Sequence, residues 1–239
     1  MQPNPIILQR TQKAVPYPRS VPSEIELPDP VIALFSYRKV FYRKSKRALD
    51  VVISGTLLAL ALPLFLLIAV LIKLMDPGPL FFRHRRLGKG GQEFWCIKFR
   101  TMVADAEEQL KRNPQLQRQF ETNYKIKDDP RVTRHGAFLR RTSLDELPQL
   151  WHVVRGEMSL IGPRPIVRSE VPKYGSYALK LGTVKPGLSG LWQVCGRSDT
   201  SYAERVQMDM LYIEHRSLSL DLLLILLTPF SVLKRKGAC

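Results

Sequence analysis

The sequence predicts a mixed α/β protein, mostly short helices with a small β-hairpin element, attached to a membrane helix broken by proline. Three observations carry this reading. Val51 to Ile72 is a long apolar run without a charge. The remainder is polar and basic, with a net charge of +16 over 239 residues. Downstream of the run, two short alternating segments flank a glycine cluster, and short helical periods follow. This composition excludes an ordinary acidic cytosolic enzyme, a disordered tail and a polytopic channel. The three cysteines stand far apart with no CxxC pair, so neither a zinc site nor a disulfide framework is expected, and the compartment reads as reducing.

Three regions are expected. Residues 1–36 form a Pro-rich flexible arm, with seven prolines in the first thirty residues and no helical period. Residues 37–75 form a basic flank plus the apolar helix. Arg38, Lys39, Arg43, Lys44, Lys46 and Arg47 precede the run, where they suit anionic headgroups at about 1 kcal/mol each; a solvated basic helix end is the plainer alternative. Pro63 falls mid-run, removes a backbone hydrogen bond and kinks the helix. Lys73, Arg83, Arg85, Arg86 and Lys89 make the far flank basic too. Positive charge on both flanks places both ends on the cytoplasmic side. The helix is therefore expected to enter one leaflet and return, with a plain span that tolerates Pro63 as the alternative.

Residues 76–239 form the third region. Asp76-Pro77-Gly78-Pro79 is a turn. Leu80–Arg86 and Phe94–Phe99 pair as a hairpin around Gly88-Lys89-Gly90-Gly91, whose spacing is not that of a Walker A loop. Ala104–Phe120 is a helix interrupted at Asn113-Pro114. Leu144–Val154 and Tyr202–Glu214 are further helices. Leu222–Leu227 is apolar, too short to span, and ends at Lys234-Arg235-Lys236, consistent with an interfacial helix or a buried one.

Chemistry is expected at Arg140-Arg141-Thr142-Ser143-Leu144-Asp145-Glu146-Leu147-Pro148. One reading is purely structural, with Ser143 as N-cap and Glu146 closing a capping box. The other uses the same helix start to bind phosphate, one carboxylate acting as nucleophile and the other holding Mg²⁺. An anionic nucleophile approaching an anionic phosphate needs cations. Arg140 and Arg141 lie just upstream, and Arg164 is stiffened between Pro163 and Pro165. Alternation places Lys98 and Arg100 on one face of the second hairpin strand.

Taken in order, these motifs resemble the bacterial sugar transferase family of monotopic phosphoglycosyl transferases. The resemblance runs from about Lys46 to Lys236. It rests on Lys46-Arg47 and Asp50, Pro63, Gly78-Pro79 with Phe81, Gly88-Lys89 with Gly91, and Lys98-Phe99-Arg100-Thr101-Met102. It continues through the Ser143–Leu150 run, Gly156–Ser159, Gly162–Pro165, Lys185-Pro186-Gly187, and Gly190-Leu191-Trp192-Gln193 with Gly196-Arg197. The resemblance implies transfer of a sugar-1-phosphate from a UDP-sugar to undecaprenyl phosphate with release of UMP, as the first membrane step of exopolysaccharide synthesis. It implies a ping-pong course through a phosphosugar enzyme, Mg²⁺ as cofactor, and an active site on the cytoplasmic face of the inner membrane. The family nucleophile falls on Asp145 and the metal-associated carboxylate on Glu146. Arg140 and Arg164 match positions near the substrate phosphates, and Lys98, Arg100, Arg197 and Asp209 are further carry-overs. Pro63 matches the break of a re-entrant helix, although some relatives have Ser where this chain has Leu62. Cys195 stands where small polar residues are common.

The run Gly196–Tyr202 with Arg205 resembles the hexose branch, in its short form without extra helices upstream. Galactose or glucose is the sugar expected, with galactose favoured. Membrane lipid is an expected partner; further copies of the chain and downstream glycosyltransferases are candidate partners. A nucleic-acid partner is not expected, since no helix-turn-helix, zinc or RRM signature accompanies the charge. A non-catalytic membrane-anchored scaffold is the rival function.

Overall fold

A computed structural model of the chain describes residues 42–123, 126, 129–196 and 200–233. The expected arm (1–36), Arg197 and the Lys234-Arg235-Lys236 cluster lie outside them. The apolar run is two helices, α1 (Tyr42–Leu60) and α2 (Leu62–Met75), bent by 56°. Pro63 sits in the first turn of α2. There its missing N–H costs little, but that N–H can no longer continue the ladder from α1. Bonding resumes on either side, with Ala61 N donating to the Leu57 carbonyl at 2.9 Å and Phe65 N to that of Ala61 at 2.8 Å. No single described helix is long and apolar enough to cross a membrane, but the bent pair together is. Leu62, Leu66, Leu67, Val70, Leu71 and Leu74 are all exposed on α2, an apolar surface that the other described residues leave uncovered.

The base of α1 is bound into the body. Lys46 is buried and pairs with Asp50 at 3.2 Å and Asp221 at 3.4 Å. Asp221 also accepts from the Tyr42 hydroxyl (2.8 Å) and the Tyr212 hydroxyl (2.7 Å). Arg47 donates to the carbonyls of Val153 and Val154, both at 2.6 Å, and so caps a helix C-terminus. Lys46 and Arg47 therefore face inward instead of meeting headgroups. Arg43 and Lys44, one turn earlier, are exposed.

The expected hairpin is β1 (Phe81–Leu87) and β2 (Glu93–Phe99), antiparallel and in register from Phe81↔Phe99 to Leu87↔Glu93. Gly90 and Gly91 take φ of +73° in the turn, which explains the glycine cluster. The predicted interruption at Asn113 divides α3 (Ala106–Arg112) from α4 (Pro114–Asn123), with the Asn113 side chain accepting from the N–H of Gln115 and Leu116. Next come α5 (Arg134–Arg141) and α6 (Gln149–Arg155). A parallel pair follows that periodicity does not reveal, β3 (Ser159–Ile161) with β4 (Gly187–Ser189). Between these strands lie α7 (Val171–Tyr174) and α8 (Ala178–Leu181); after them come α9 (Leu191–Cys195), α10 (Tyr202–His215) and α11 (Leu218–Leu233).

The main core gathers Leu150, Val153, Met158, Ile161, Leu191, Val206, Leu220 and Leu224. A smaller core joins Ile68 and Ile72 of α2 to Phe99 and Leu139, so the second apolar helix rests on the end of the hairpin. In α11, Leu220 and Leu224 are buried while Leu222, Leu226 and Phe230 are exposed. The helix is core on one face, as the buried reading expects, and apolar toward the outside on the other.

Candidate active site

The Asp145–Glu146 segment is placed by how α5 meets β2. Thr133 caps α5 by accepting from Gly136 N at 3.0 Å. Gly136 lies directly on the Thr101 backbone, where a Cβ would collide with the Thr101 carbonyl. That close approach lets the Arg140 Nε donate to Thr101 Oγ at 2.9 Å. Beyond α5, Ser143 adopts φ 56°, ψ 16°, the one left-handed non-glycine among the described residues. It turns the chain into a single 3₁₀ turn, Leu144–Glu146. Asp145 is buried and Glu146 exposed.

The expected capping box is absent. An N-cap residue needs an extended backbone to bring its side chain over the N3 amide. Left-handed Ser143 instead offers its carbonyl, which accepts from Glu146 N at 3.2 Å, and its side chain makes no cap bond. The expected helix from Leu144 correspondingly begins only at Gln149. A left-handed serine costs on the order of 1–2 kcal/mol.

Burial, then the neighbouring Glu146 carboxylate, pushes the Asp145 carboxyl up to about 7, while Lys98 and Arg140 pull it down. Burial likewise lowers Lys98, against the attraction of Asp145 and Glu146. The Lys98 ammonium lies 5.7 Å from the centre of the Phe82 ring. Lys98, Arg140, Asp145 and Glu146 therefore form one electrostatic group. Arg100 stands apart from it. Its guanidinium is buried against the Asp76–Gly78 turn, bonding the carbonyls of Asp76 and Pro77 and pairing with the Asp76 carboxylate at 3.4 Å.

The second end of the site is the loop Gly162–Pro165 after β3. It is bound to the Lys185–Gly187 segment, with Gly187 N donating to the Pro163 carbonyl at 2.7 Å and Ser159 N to that of Pro186 at 2.9 Å. Arg164 is exposed, 5.8 Å from the Trp192 ring centre; Arg205 from α10 lies 4.8 Å from the same ring. Asp209 is 1% exposed and sits beneath this loop. It accepts from the Tyr174 hydroxyl at 2.8 Å and from the Arg164 backbone N–H, and burial raises it to about 7. Its position supports Arg164 from below.

Sequence reading missed Arg86 and Thr101, which join the parts. Arg86 donates to the Pro165 carbonyl at 3.1 Å and pairs with Glu170 at 3.5 Å. Burial and the charge of Arg164 lower it, while Glu146 offsets part of that. It therefore senses both ends of the site. The available signal was strand alternation, which sets Arg86 and Lys98 on one face once the register is known.

Among the described residues no group of three or more His, Cys, Asp and Glu converges as a metal cage. Asp145 and Glu146 are two adjacent hard-oxygen donors that repel each other, the arrangement Mg²⁺ accepts when substrate phosphates and water complete its shell.

The family model for bacterial sugar transferases matches residues 41–235. The chain is 46% identical to the exopolysaccharide production protein ExoY of Rhizobium meliloti, over 81% of this chain and 88% of that protein. It is 43% identical to a UDP-galactose-lipid carrier transferase of Erwinia amylovora, over 81% of this chain and 41% of that one. It is 42% identical to a UDP-glucose:undecaprenyl-phosphate glucose-1-phosphate transferase of Xanthomonas campestris pv. campestris, over 74% of this chain and 36% of that one. The chain thus spans nearly all of ExoY and about two fifths of the longer transferases.

Proposed function

Since the chain belongs to the bacterial sugar transferase family, we propose that it transfers a hexose-1-phosphate from a UDP-hexose to undecaprenyl phosphate and releases UMP, priming exopolysaccharide synthesis. The observation that carries this reading is the buried Asp145 carboxylate, turned out of α5 by Ser143 and flanked by Lys98 and Arg140. A binding scaffold has no need of a carboxylate held in a place that disfavours its charge.

In the proposed course, an Asp145 carboxylate oxygen attacks the phosphorus that carries the sugar. The bond from that phosphorus to the bridging oxygen breaks, and its electron pair leaves with UMP. The hexose phosphate is then held on Asp145 as a mixed anhydride. An oxygen of undecaprenyl phosphate attacks the same phosphorus and the Asp145 carboxylate departs. No proton is gained or lost by Asp145, provided it starts ionised, and Lys98 and Arg140 favour that form. Arg140, oriented by Thr101, faces the developing negative charge, and Arg164 holds the nucleotide-side phosphate. Asp145 and Glu146 fit Mg²⁺, which would neutralise diphosphate charge. Arg100 contributes by fixing the turn that joins α2 to β1.

The water-soluble donor and lipid acceptor meet if the carboxylates lie at headgroup depth. The exposed apolar surface of α2 and the 56° bend support a re-entrant anchor, with the catalytic part on the cytoplasmic face of the inner membrane. The relatives' names support galactose or glucose as the sugar. Incubation of the lipid-embedded protein with Mg²⁺, undecaprenyl phosphate and a panel of UDP-sugars tests the reading. UMP with one hexose donor is expected. UDP instead would move the chain to ordinary glycosyl transfer, and no nucleotide product would leave a scaffold.

A further inference from the structure

One face of the hairpin runs between the two ends of the site. Directly paired residues share a face, so Phe82 with Lys98, His84 with Cys96, and Arg86 with Phe94 stand on the same side of the ladder. Lys98 faces the Asp145 and Glu146 charges. Arg86 reaches the Pro165 carbonyl and Glu170. His84 is the rung between them, about 7 Å along the strand from each. Its ring stacks on Phe82, with centroids 6.0 Å apart and planes 17° apart. The His84 Nδ1 atom is buried and, among the described residues, has no hydrogen-bond partner. Buried polar atoms are nearly always paired, so this one needs an explanation.

The surroundings say what kind of group would pair it. Burial, then Arg86 and Lys98, disfavour protonation of the ring, and the carboxylates facing it, Glu107 and Glu170, only partly offset them. A neutral imidazole keeps one N–H donor. Flanked by a guanidinium and an ammonium, that donor belongs to a row of three that suits phosphate oxygens.

We propose that His84 binds the transferring phosphate, donating from Nδ1 to one of its oxygens between Lys98 and Arg86. This rests on the hexose-1-phosphate transfer reading and adds a residue to it. The interaction holds the phosphorus in line with Asp145 while the leaving phosphate is held toward Arg164.

The test uses the full-length protein in lipid, with the UMP burst from a UDP-hexose measured without acceptor. A hydrogen bond to a charged group corresponds to roughly a 10- to 100-fold effect. His84→Phe, which keeps the ring and its stacking, should slow the burst by about that factor. His84→Gln, which keeps a donor, should recover most of it. In the Asp145→Asn background, His84→Phe should weaken UDP-hexose binding by about tenfold, while melting temperature stays close to the parent. A burst from His84→Phe equal to wild type overturns the proposal. Equal losses in His84→Phe and His84→Gln overturn it as well, since a donor would then make no difference. If wild type gives no burst, the Asp145 reading fails, and the affinity comparison alone decides for or against His84. Should His84→Phe fail to melt cooperatively, His84→Ala carries the same comparison.

Discussion

Replacing Asp145 with Asn should stabilise the protein, and by an amount that depends on pH. In the folded chain the Asp145 carboxyl is raised from 3.8 to about 7, chiefly by burial. Well below pH 3.8 both folded and unfolded chains hold the proton, and the group costs nothing. As pH rises, the unfolded chain releases the proton first, so the folded state loses stability until both are ionised above about pH 7. The full difference corresponds to about 4 kcal/mol at 1.36 kcal/mol per pKa unit. Asp145→Asn removes this cost. It should gain about 4 kcal/mol at pH 8 but only about 1.5 kcal/mol at pH 5. For a chain of this size the larger gain raises the melting temperature by on the order of 10 °C. Thermal unfolding in lipid nanodiscs at both pH values, without Mg²⁺, measures it. Added Mg²⁺ should shrink the gap by stabilising the wild type. A gain equal at the two pH values, or a loss at pH 8, would refute the claim that Asp145 is held where its charge is disfavoured.

Other positions give sharp outcomes. Gly136→Ala puts a methyl into the Thr101 carbonyl. It should destabilise by about 3 kcal/mol or more and break the Arg140–Thr101 bond, read as a lower melting temperature with a lower kcat. Asp209→Ala leaves the Tyr174 hydroxyl and the Arg164 N–H unpaired. It should cost about 2–4 kcal/mol and raise the KM for the donor, whereas Asp209→Asn, which keeps an acceptor, should restore most of both. Ser143→Gly removes the left-handed penalty at φ 56°. A gain of about 0.5–1 kcal/mol is expected in the same melts, and a loss would mean that the serine side chain has a role.

Local chemistry decided what could be read before the structure. The hairpin was legible because Phe81–Leu87 and Glu93–Phe99 alternate around glycines, and α10 was found to within one residue at its end. The break at Pro63 was legible because proline acts through its own missing N–H. The pair β3–β4 was not, because three-residue strands have no measurable alternation and pair across a long chain separation. The left-handed Ser143 was not legible either, since a good N-cap residue three places before a glutamate signals a capping box with equal force. Charge alone misled at Lys46 and Arg47: besides Asp50 one turn on from Lys46, their partners, Asp221 and the end of α6, lie more than a hundred residues away. The acidic pair of the site was visible in sequence. The residues that link it to the rest of the candidate site, Arg86 and Thr101, needed the register of the hairpin and the seat of α5.

The central claim is that hexose phosphate passes through Asp145. The most direct measurement is intact-protein mass spectrometry after incubation with UDP-galactose or UDP-glucose and Mg²⁺, with no acceptor. Wild type should gain one hexose phosphate, localised by digestion to the peptide holding Asp145, lose it when undecaprenyl phosphate is added, and release UMP in equal amount; Asp145→Asn should gain nothing. An unmodified wild type that produces UMP only when donor and acceptor are present together would contradict the account.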